Sequence, residues 1–378
     1  MTTSTATIEP IRGDLYLAFE LGWKTWKLAF TVGRAQRPRL RTIDARDIEA
    51  VKNEIRAAKK RFGLSRKGRV VSCYEAGRDG FWLHRFLESI GVVNQIVDSA
   101  SIEVSRRKKR PKTDRIDANK LVMMLIRWVE GEDKVWSVVA VPSVDAEEAR
   151  HLHRELKTLK KERTKITNRI KGLLAGQGVE VSKIDAAFPK WLRKVRLWDG
   201  SAIPERLGQR VLVEFDRHSY VHQQILAVER ERRKLTKESQ GNAAVVARKL
   251  LKLKGIGENA SWTFSTEFFG WRKFNNRKQV GSLAGLTGTP YDSGGSAREQ
   301  GIDKAGNKIM RCDGVEIGWC WLRHQPNSAL SLWYQRRFGH GGKRLRKIGI
   351  VALARKLLVA LWRWVDQDIQ PEGAMLKA

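Results

Sequence analysis

Gly13-Asp14-Leu15-Tyr16-Leu17-Ala18-Phe19-Glu20-Leu21-Gly22-Trp23-Lys24-Thr25-Trp26-Lys27-Leu28-Ala29-Phe30-Thr31-Val32-Gly33 is the stretch on which the fold turns. Leu15, Leu17 and Phe19 share one face of an extended chain and Tyr16, Ala18 and Glu20 the other, until Gly22-Trp23-Lys24 interrupts and an apolar run resumes at Trp26. Alternation with a period of two around such a break predicts a β-hairpin. Further on, residues 47–62 have helical spacing. Residues 69–75 read as a strand ending at Ala76-Gly77, residues 81–90 as a helix closed by Gly91, and residues 92–97 as another strand. A helix opens near Thr113-Asp114, with Ile116, Leu121, Met124 and Leu125 as its apolar stripe. Strands alternating with helices over about 130 residues predict an α/β domain.

The middle of the chain changes character. Leu152, Leu159, Ile166 and Leu173 recur every seventh residue, with Leu156, Arg163 and Ile170 at the complementary heptad position, and a second seam runs through Val221, Ile225, Val228, Arg232 and Leu235. This pattern predicts a helical coiled-coil stalk, either folded back as an antiparallel pair or mated with another subunit. An irregular, Trp-bearing segment, residues 189–200, separates the seams. From Leu251 the string Leu-Lys-Leu-Lys-Gly255-Ile256-Gly257-Glu258 reads as a helix end, a turn and a new helix, a hairpin whose backbone N–H groups suit a phosphate. Residues 285–306 have the glycine-rich composition of an ordered loop, and residues 336–364 return to a basic amphipathic helix. The expected domains are 10–142 (α/β), 143–241 (stalk) and 242–378 (mostly α-helical).

Lys and Arg outnumber Asp and Glu by 73 to 41 in 378 residues, a formal charge of +32, so a polyanion is the expected partner. With 30% charged and 42% hydrophobic residues the chain still reads as folded. Cys73, Cys312 and Cys320 are too few and scattered for a disulfide framework or a zinc ribbon. The chain shows neither a membrane-length apolar run nor a signal-peptide plan at Met1, which predicts a cytoplasmic protein with no membrane partner. The 14 tryptophans fill cores by default, with stacking on nucleobases as the alternative. His218 and His222 read as stalk residues, and His151 and His153 point apart on their helix. No phosphate-binding Gly-x-x-x-x-Gly-Lys-Ser/Thr string occurs.

Chemistry concentrates in four carboxylates. Glu20 and Glu75 end strands, and Asp114 and Asp117 lie three apart on one helical face, so acids from three segments can meet at one sheet edge, as two-metal phosphodiester chemistry requires. The bland alternative makes Asp114 a helix cap, Asp117 a partner of the helix dipole and the two glutamates mere strand ends.

Ala18-Phe19-Glu20-Leu21-Gly22, Tyr74-Glu75-Ala76-Gly77 and Lys112-Thr113-Asp114-Arg115-Ile116-Asp117-Ala118 resemble the acidic motifs of insertion-sequence transposases with a RuvC-like DEDD domain, the bridge-RNA-guided recombinases of bacterial mobile elements. Gly285-Leu286-Thr287, Tyr291-Asp292-Ser293-Gly294-Gly295 and Gly301-Ile302-Asp303-Lys304-Ala305-Gly306-Asn307 are similar to that family's second block. The resemblance covers nearly the whole chain. It implies a RuvC-like, ribonuclease-H-like α/β domain and Mg²⁺, in a two-metal site or replaced by Mn²⁺, held by Glu20, Glu75, Asp114 and Asp117. It further implies a nucleophilic Ser293, donor and target DNA, a structured bridge RNA and a homotetramer. One departure is Glu20, where the family usually carries Asp; glutamate still ligates a hard cation.

A phosphoserine intermediate at Ser293 would conserve the energy of the broken strand, with Arg298 or Lys304 neutralising the phosphate. Read without the resemblance, Asp-Ser-Gly-Gly is an ordinary turn, and Ser296 lies close enough to be the nucleophile instead. Arg106, Arg107, Lys108, Lys109, Arg110 and Lys112 precede the acids and can bring phosphate to them, and Arg344 and Arg346 mark a second basic footprint. The leading expectation is an RNA-guided DNA recombinase. The alternatives are a RuvC-like metal nuclease that uses water, and a non-catalytic nucleic-acid-binding protein.

Overall fold

The computed structural model describes residues 13–102, 114–132, 134–293 and 296–377, with the backbone alone for 114–116, 292–293 and 296–299. β1 (Leu15–Leu21) and β2 (Thr25–Thr31) form the expected hairpin, in antiparallel register from Tyr16 opposite Thr31 to Leu21 opposite Trp26. At the break between them a Cβ on Gly22 would stand 2.4 Å from the Thr25 carbonyl oxygen, so only glycine lets the chain turn there. β3 (Arg39–Asp44) extends the sheet beyond β2 and has no counterpart in the sequence reading. Ile43 is its one buried residue, so the strand carries no period-two signal.

α1 (Ile48–Arg61) starts where the Asp47 side chain accepts a hydrogen bond from the Ala50 N–H at 2.8 Å. β4 (Val70–Glu75) then pairs parallel with β1, α2 (Trp82–Ser89) crosses over, and β5 (Val92–Val97) pairs parallel with β4. The sheet order is β3-β2-β1-β4-β5. α3 (Asp114–Val129) follows. Leu15, Leu17 and Phe19 pack with Val51 and Ile55 of α1 and Leu83 and Leu87 of α2, whereas Tyr16, Ala18, Val71 and Cys73 pack with Ala118, Leu121, Val122 and Leu125 of α3. Because β1 is covered on both faces, it reads as a near-continuous apolar run, and each such side chain contributes about 1.5–3 kcal/mol by leaving water.

In the second half, α4 (Val144–Ala175), α5 (Phe188–Lys194) and α6 (Glu205–Glu238) share one core. Lys160 pairs with Glu229 at 2.9 Å, Arg163 hydrogen-bonds His222 at 3.2 Å and Arg169 pairs with Glu214 at 2.8 Å. The partner numbers fall as the α4 numbers rise, so α4 and α6 lie antiparallel within one chain, the fold-back arrangement that the heptads allow. Between them bury Leu156, Ile166, Ile170 and Leu174 of α4 against Val211, Val221, Ile225 and Val228 of α6. α5 occupies part of the stretch expected to be irregular, where Phe188 and Leu192 fill the same core.

α7 (Asn242–Leu251) and α8 (Glu258–Phe264) flank the Gly-Ile-Gly turn as expected, with Gly255 at φ +84°. After α9 (Arg277–Leu283), the glycine-rich stretch read as a loop is instead a two-stranded antiparallel ribbon, β6 (Gly288–Ser293) and β7 (Ser296–Ile302). The stretch holds few apolar residues, so alternation could not announce the strands. α10 (Lys308–His324), α11 (Ala329–Tyr334) and α12 (Lys343–Gln367) complete a mixed α/β chain that is mostly helical among the described residues.

The chain divides into two compact units, Met1–Val141 with Arg272–Gly306, and Pro142–Trp271 with Asn307–Ala378. The division into 10–142, 143–241 and 242–378 remains a sequence expectation beside it. Among the described residues no helix is long and apolar enough to cross a membrane. Ile170 is fully buried in the α4–α6 core, so Ile170→Ala should cost about 3 kcal/mol. The check is the urea midpoint of the helical unit; an unchanged midpoint would contradict the packing described.

Candidate functional site

Parallel pairing of β1 with β4 runs from Leu15 opposite Val70 to Phe19 opposite Tyr74. Glu20 and Glu75 are the next residues, so two carboxylates leave neighbouring strands at the same C-terminal edge. Their face follows from parity. Ala18 and Cys73 belong to the layer under α3, and Glu20 and Glu75 lie two residues on, toward that same layer. Burial pushes the Cys73 thiol far up, and the neighbouring charge of Glu75 adds to the shift.

α3 runs antiparallel to β1. Glu130, just past its C-terminus, pairs with Arg34 beyond the β2 end that faces Tyr16, while the Leu121 carbonyl lies 3.9 Å from Cys73 Sγ. The N-terminus of α3 therefore comes to the edge that carries Glu20 and Glu75. Asp117 stands one turn before Leu121 and is partly buried. Asp114 is the first residue of α3, and its side chain lies outside the described residues, as do Arg106, Arg107, Lys108, Lys109, Arg110 and Lys112. Among the described residues no three His, Cys, Asp or Glu side chains are gathered into a set that could hold a metal ion. What the fold brings to one edge is Glu20, Glu75 and the start of α3 with Asp117. Carboxylate oxygens are the donor type that hard divalent cations take.

Ser293 ends β6 opposite Ser296; the side chains of both, and of Arg298, lie outside the described residues. The base of this ribbon explains the Lys-Ala-Gly string. The Asp303 N–H donates to the Thr287 carbonyl at 2.9 Å and the Lys304 N–H to the Gly285 carbonyl at 3.2 Å, with Lys304 at φ +63°. A Cβ on Gly306 would fall 2.1 Å from the Leu283 carbonyl oxygen, so this close return of the chain requires glycine. Arg344 and Arg346 are exposed in the first turns of α12, which holds no acid in its first turn. Cations there oppose the helix dipole and leave its positive end open to an anion.

A buried cluster in the helical unit escaped the sequence reading. Glu267, 1% exposed in a single π-turn at Ser265–Phe269, accepts from His153 Nε2 at 2.7 Å, Arg154 Nε at 2.8 Å and Asn307 Nδ2 at 3.2 Å, with Arg150 Nε 3.5 Å away. Burial by itself would raise the Glu267 carboxyl, but hydrogen bonds from His153 and Arg154 and the charges of Arg150 and Arg154 hold it well below the usual carboxylate range. Burial likewise lowers His153, against the pull of Glu267. Asn307 in turn caps α10, its Oδ1 accepting from the Ile309 and Met310 N–H groups at 2.9 and 3.2 Å. Glu267 thus ties α4 to the residue that closes the Lys-Ala-Gly-Asn string. The one available signal was a lone acid inside the aromatic run Trp262-Thr263-Phe264-Ser265-Thr266-Glu267-Phe268-Phe269.

Comparison with known proteins decides the family. A family model described as Transposase IS116/IS110/IS902 family matches residues 247–333, which span the Gly-Ile-Gly turn, Glu267, the ribbon and Asn307. A relative named "Putative transposase y4rJ", from Sinorhizobium fredii, is 38% identical over 97% of this chain and 95% of its own length. This chain belongs to the IS116/IS110/IS902 transposase family. Transposase for insertion sequence element IS1328, from Yersinia enterocolitica, is 25% identical over 56% of this chain and 60% of its own. Family membership makes the chain, at the general level, an enzyme of DNA transposition.

Glu267→Ala should destabilise the helical unit by about 3–5 kcal/mol, because Arg154 and Arg150 lose a buried counter-charge. The depressed Glu267 carboxyl contributes stability above its unfolded value near 4.3, and that stability is lost as pH falls from there toward the lowered folded value. The wild-type melting temperature should therefore fall more steeply below about pH 5 than that of Glu267→Gln. Parallel melting curves for the two would contradict the assignment.

Proposed function

We propose that this transposase-family chain is an RNA-guided, Mg²⁺-dependent DNA recombinase that mobilises its insertion sequence through a covalent phosphoserine at Ser293. The observation that supports it best is the meeting of Glu20 and Glu75 on neighbouring parallel strands at the edge where α3 begins. The sheet order β3-β2-β1-β4-β5, with its antiparallel hairpin and two parallel crossovers, agrees with a RuvC-like, ribonuclease-H-like domain. Carboxylates on one face of neighbouring strands repel each other, and a shared divalent cation reverses that sign.

Glu20, Glu75, Asp114 and Asp117 would hold Mg²⁺ as one ion or two, with Mn²⁺ as a substitute. When bound, the metal supplies charge neutralisation at the scissile phosphate and at the oxygen that leaves it. Ser293 Oγ forms a bond to phosphorus and gives up its proton as one phosphorus–deoxyribose oxygen bond breaks and the released oxygen takes up a proton. Attack by a second DNA hydroxyl on the phosphoserine reverses these changes and rejoins a diester without ATP. Arg298 and Lys304 balance the phosphate charge, the run Arg106, Arg107, Lys108, Lys109, Arg110 and Lys112 draws the strand toward the acids, and Arg344 and Arg346 hold a second stretch of nucleic acid. Base pairing of a structured bridge RNA with donor and target DNA then selects sequence while the protein reads backbone and shape. The working assembly in this proposal is a cytoplasmic homotetramer.

The test combines protein, flanking non-coding RNA, both DNA substrates and Mg²⁺, and maps any DNA-linked peptide by mass spectrometry. Ser293→Ala should lose both the adduct and strand exchange, and Ser296→Ala should keep both. Glu75→Gln should lower strand exchange about 100-fold or more, the scale of several kcal/mol of charge stabilisation. Cutting that survives in Ser293→Ala would assign attack to water, and an adduct at Ser296 would move the nucleophile.

A further inference from the structure

Three segments at the acid-bearing edge of the sheet converge on one aromatic ring. Trp23 lies in the turn between β1 and β2 and is 64% exposed. The Arg46 guanidinium carbon stands 4.9 Å from its ring centroid and that of Arg78 4.6 Å. Arg46 belongs to the corner between β3 and α1, where it adopts φ +71°, and Arg78 to the loop that leaves β4. Both guanidiniums reach the Asp79 carboxylate at 3.4 Å, and Arg46 Nη1 donates to the Trp23 carbonyl at 3.3 Å. Asp79 is 6% exposed as a side chain, whereas Arg46 and Arg78 are 44% and 49% exposed.

The fold does not account for this arrangement. An indole this exposed fills no core, and a left-handed φ at a non-glycine residue is a cost. The cluster carries two cations against one buried anion. A guanidinium has five N–H donors in a rigid fork, and Asp79 with the Trp23 carbonyl engages only part of the ten available from two arginines.

We infer that Trp23, Arg46 and Arg78 form a contact for the single DNA strand that reaches the acid edge, with the two guanidiniums on phosphate oxygens and the exposed indole against a nucleobase. The inference rests on the reading of Glu20 and Glu75 as the reaction centre. Trp23 follows Glu20 by three residues and Arg78 follows Glu75 by three, and three fully extended residues span at most about 10 Å. The contact therefore lies within a few nucleotides of the acids. Stacking needs an unpaired base, and positively charged grooves with aromatic platforms are how single strands are held without regard to sequence. Asp79 and the ring fix both guanidiniums in advance, which reduces the ordering cost of binding.

The experiment measures binding of a bromouracil-substituted single-stranded DNA oligonucleotide to the full chain in EDTA, across a salt series, followed by photocrosslinking. Trp23→Ala should weaken binding about tenfold and Trp23→Phe much less. Arg46→Gln with Arg78→Gln should flatten the slope of log affinity against log salt by about 1.4, the value for two phosphate contacts on a single strand. The crosslink should map to the peptide containing Trp23, and circular dichroism at the assay temperature should show each variant folded. Wild-type binding and salt slope in these variants, or a crosslink at that peptide with an RNA oligonucleotide only, would overturn the inference. Glu75→Gln separates the two readings. If it binds the oligonucleotide normally yet loses strand exchange while the Trp23 and arginine variants bind like wild type, the contact fails and the acid edge stands. If it keeps strand exchange while those variants lose binding, the acid edge fails and the contact stands.

Discussion

The acid edge of the first unit depends on which strand lies beside β1, and in which register. Parallel pairing that ends at Phe19 opposite Tyr74 sends Glu20 and Glu75 off the same edge, and parity puts both on the face that α3 covers. A shift of one residue would turn one of the two carboxylates to the opposite layer, among Leu17, Phe19 and the side chains of α1 and α2. Burial on both faces of β1 resists such a slip, since every side chain of the strand would have to exchange layers. The apolar core is therefore what fixes the spacing of the acids, and α3, packed through Ala118, Leu121 and Val122, brings Asp117 to the same edge.

The second unit solves a different problem with charge. α4 and α6 are long, richly charged helices whose apolar seam is narrow, and their ion pairs define a single antiparallel arrangement. Glu267 is the deepest of the charges and the most highly coordinated, with bonds from α4 and from the cap of α10. Burying a carboxylate is unfavourable unless it is paired and hydrogen-bonded, and here both conditions are met. Its effect is to hold the start of α10 in place immediately after the Lys-Ala-Gly-Asn string, within the span that the family model matches.

Much of this was legible in the residues, for reasons that can be named. Strands with one or two buried faces and helices with a continuous stripe advertise themselves, as β1, β2, β4, β5, α1 to α4 and α6 do, and the acidic strings together with the Ser-Gly and Lys-Ala-Gly-Asn strings carry the family resemblance. β3 was silent because it buries one residue, and the β6–β7 ribbon because its sequence is rich in glycine and poor in apolar residues. The pairing of His153 with Glu267 joins residues 114 apart, a distance over which no local pattern carries information. Trp23 registered only as part of a break in a strand, although the break exists to turn the chain and carries the ring to which Arg46 and Arg78 come. The order of the acids along the chain was plain, but that Glu20 and Glu75 leave neighbouring strands at one edge is a fact of topology.

The most direct test of the central claim is whether the acid edge takes up a divalent cation. Titration of the purified chain with Mn²⁺, followed by electron paramagnetic resonance, should show specific binding that Mg²⁺ displaces and that Glu75→Gln and Asp117→Asn each abolish without altering the melting temperature. Mn²⁺ bound with wild-type affinity in both variants would contradict it.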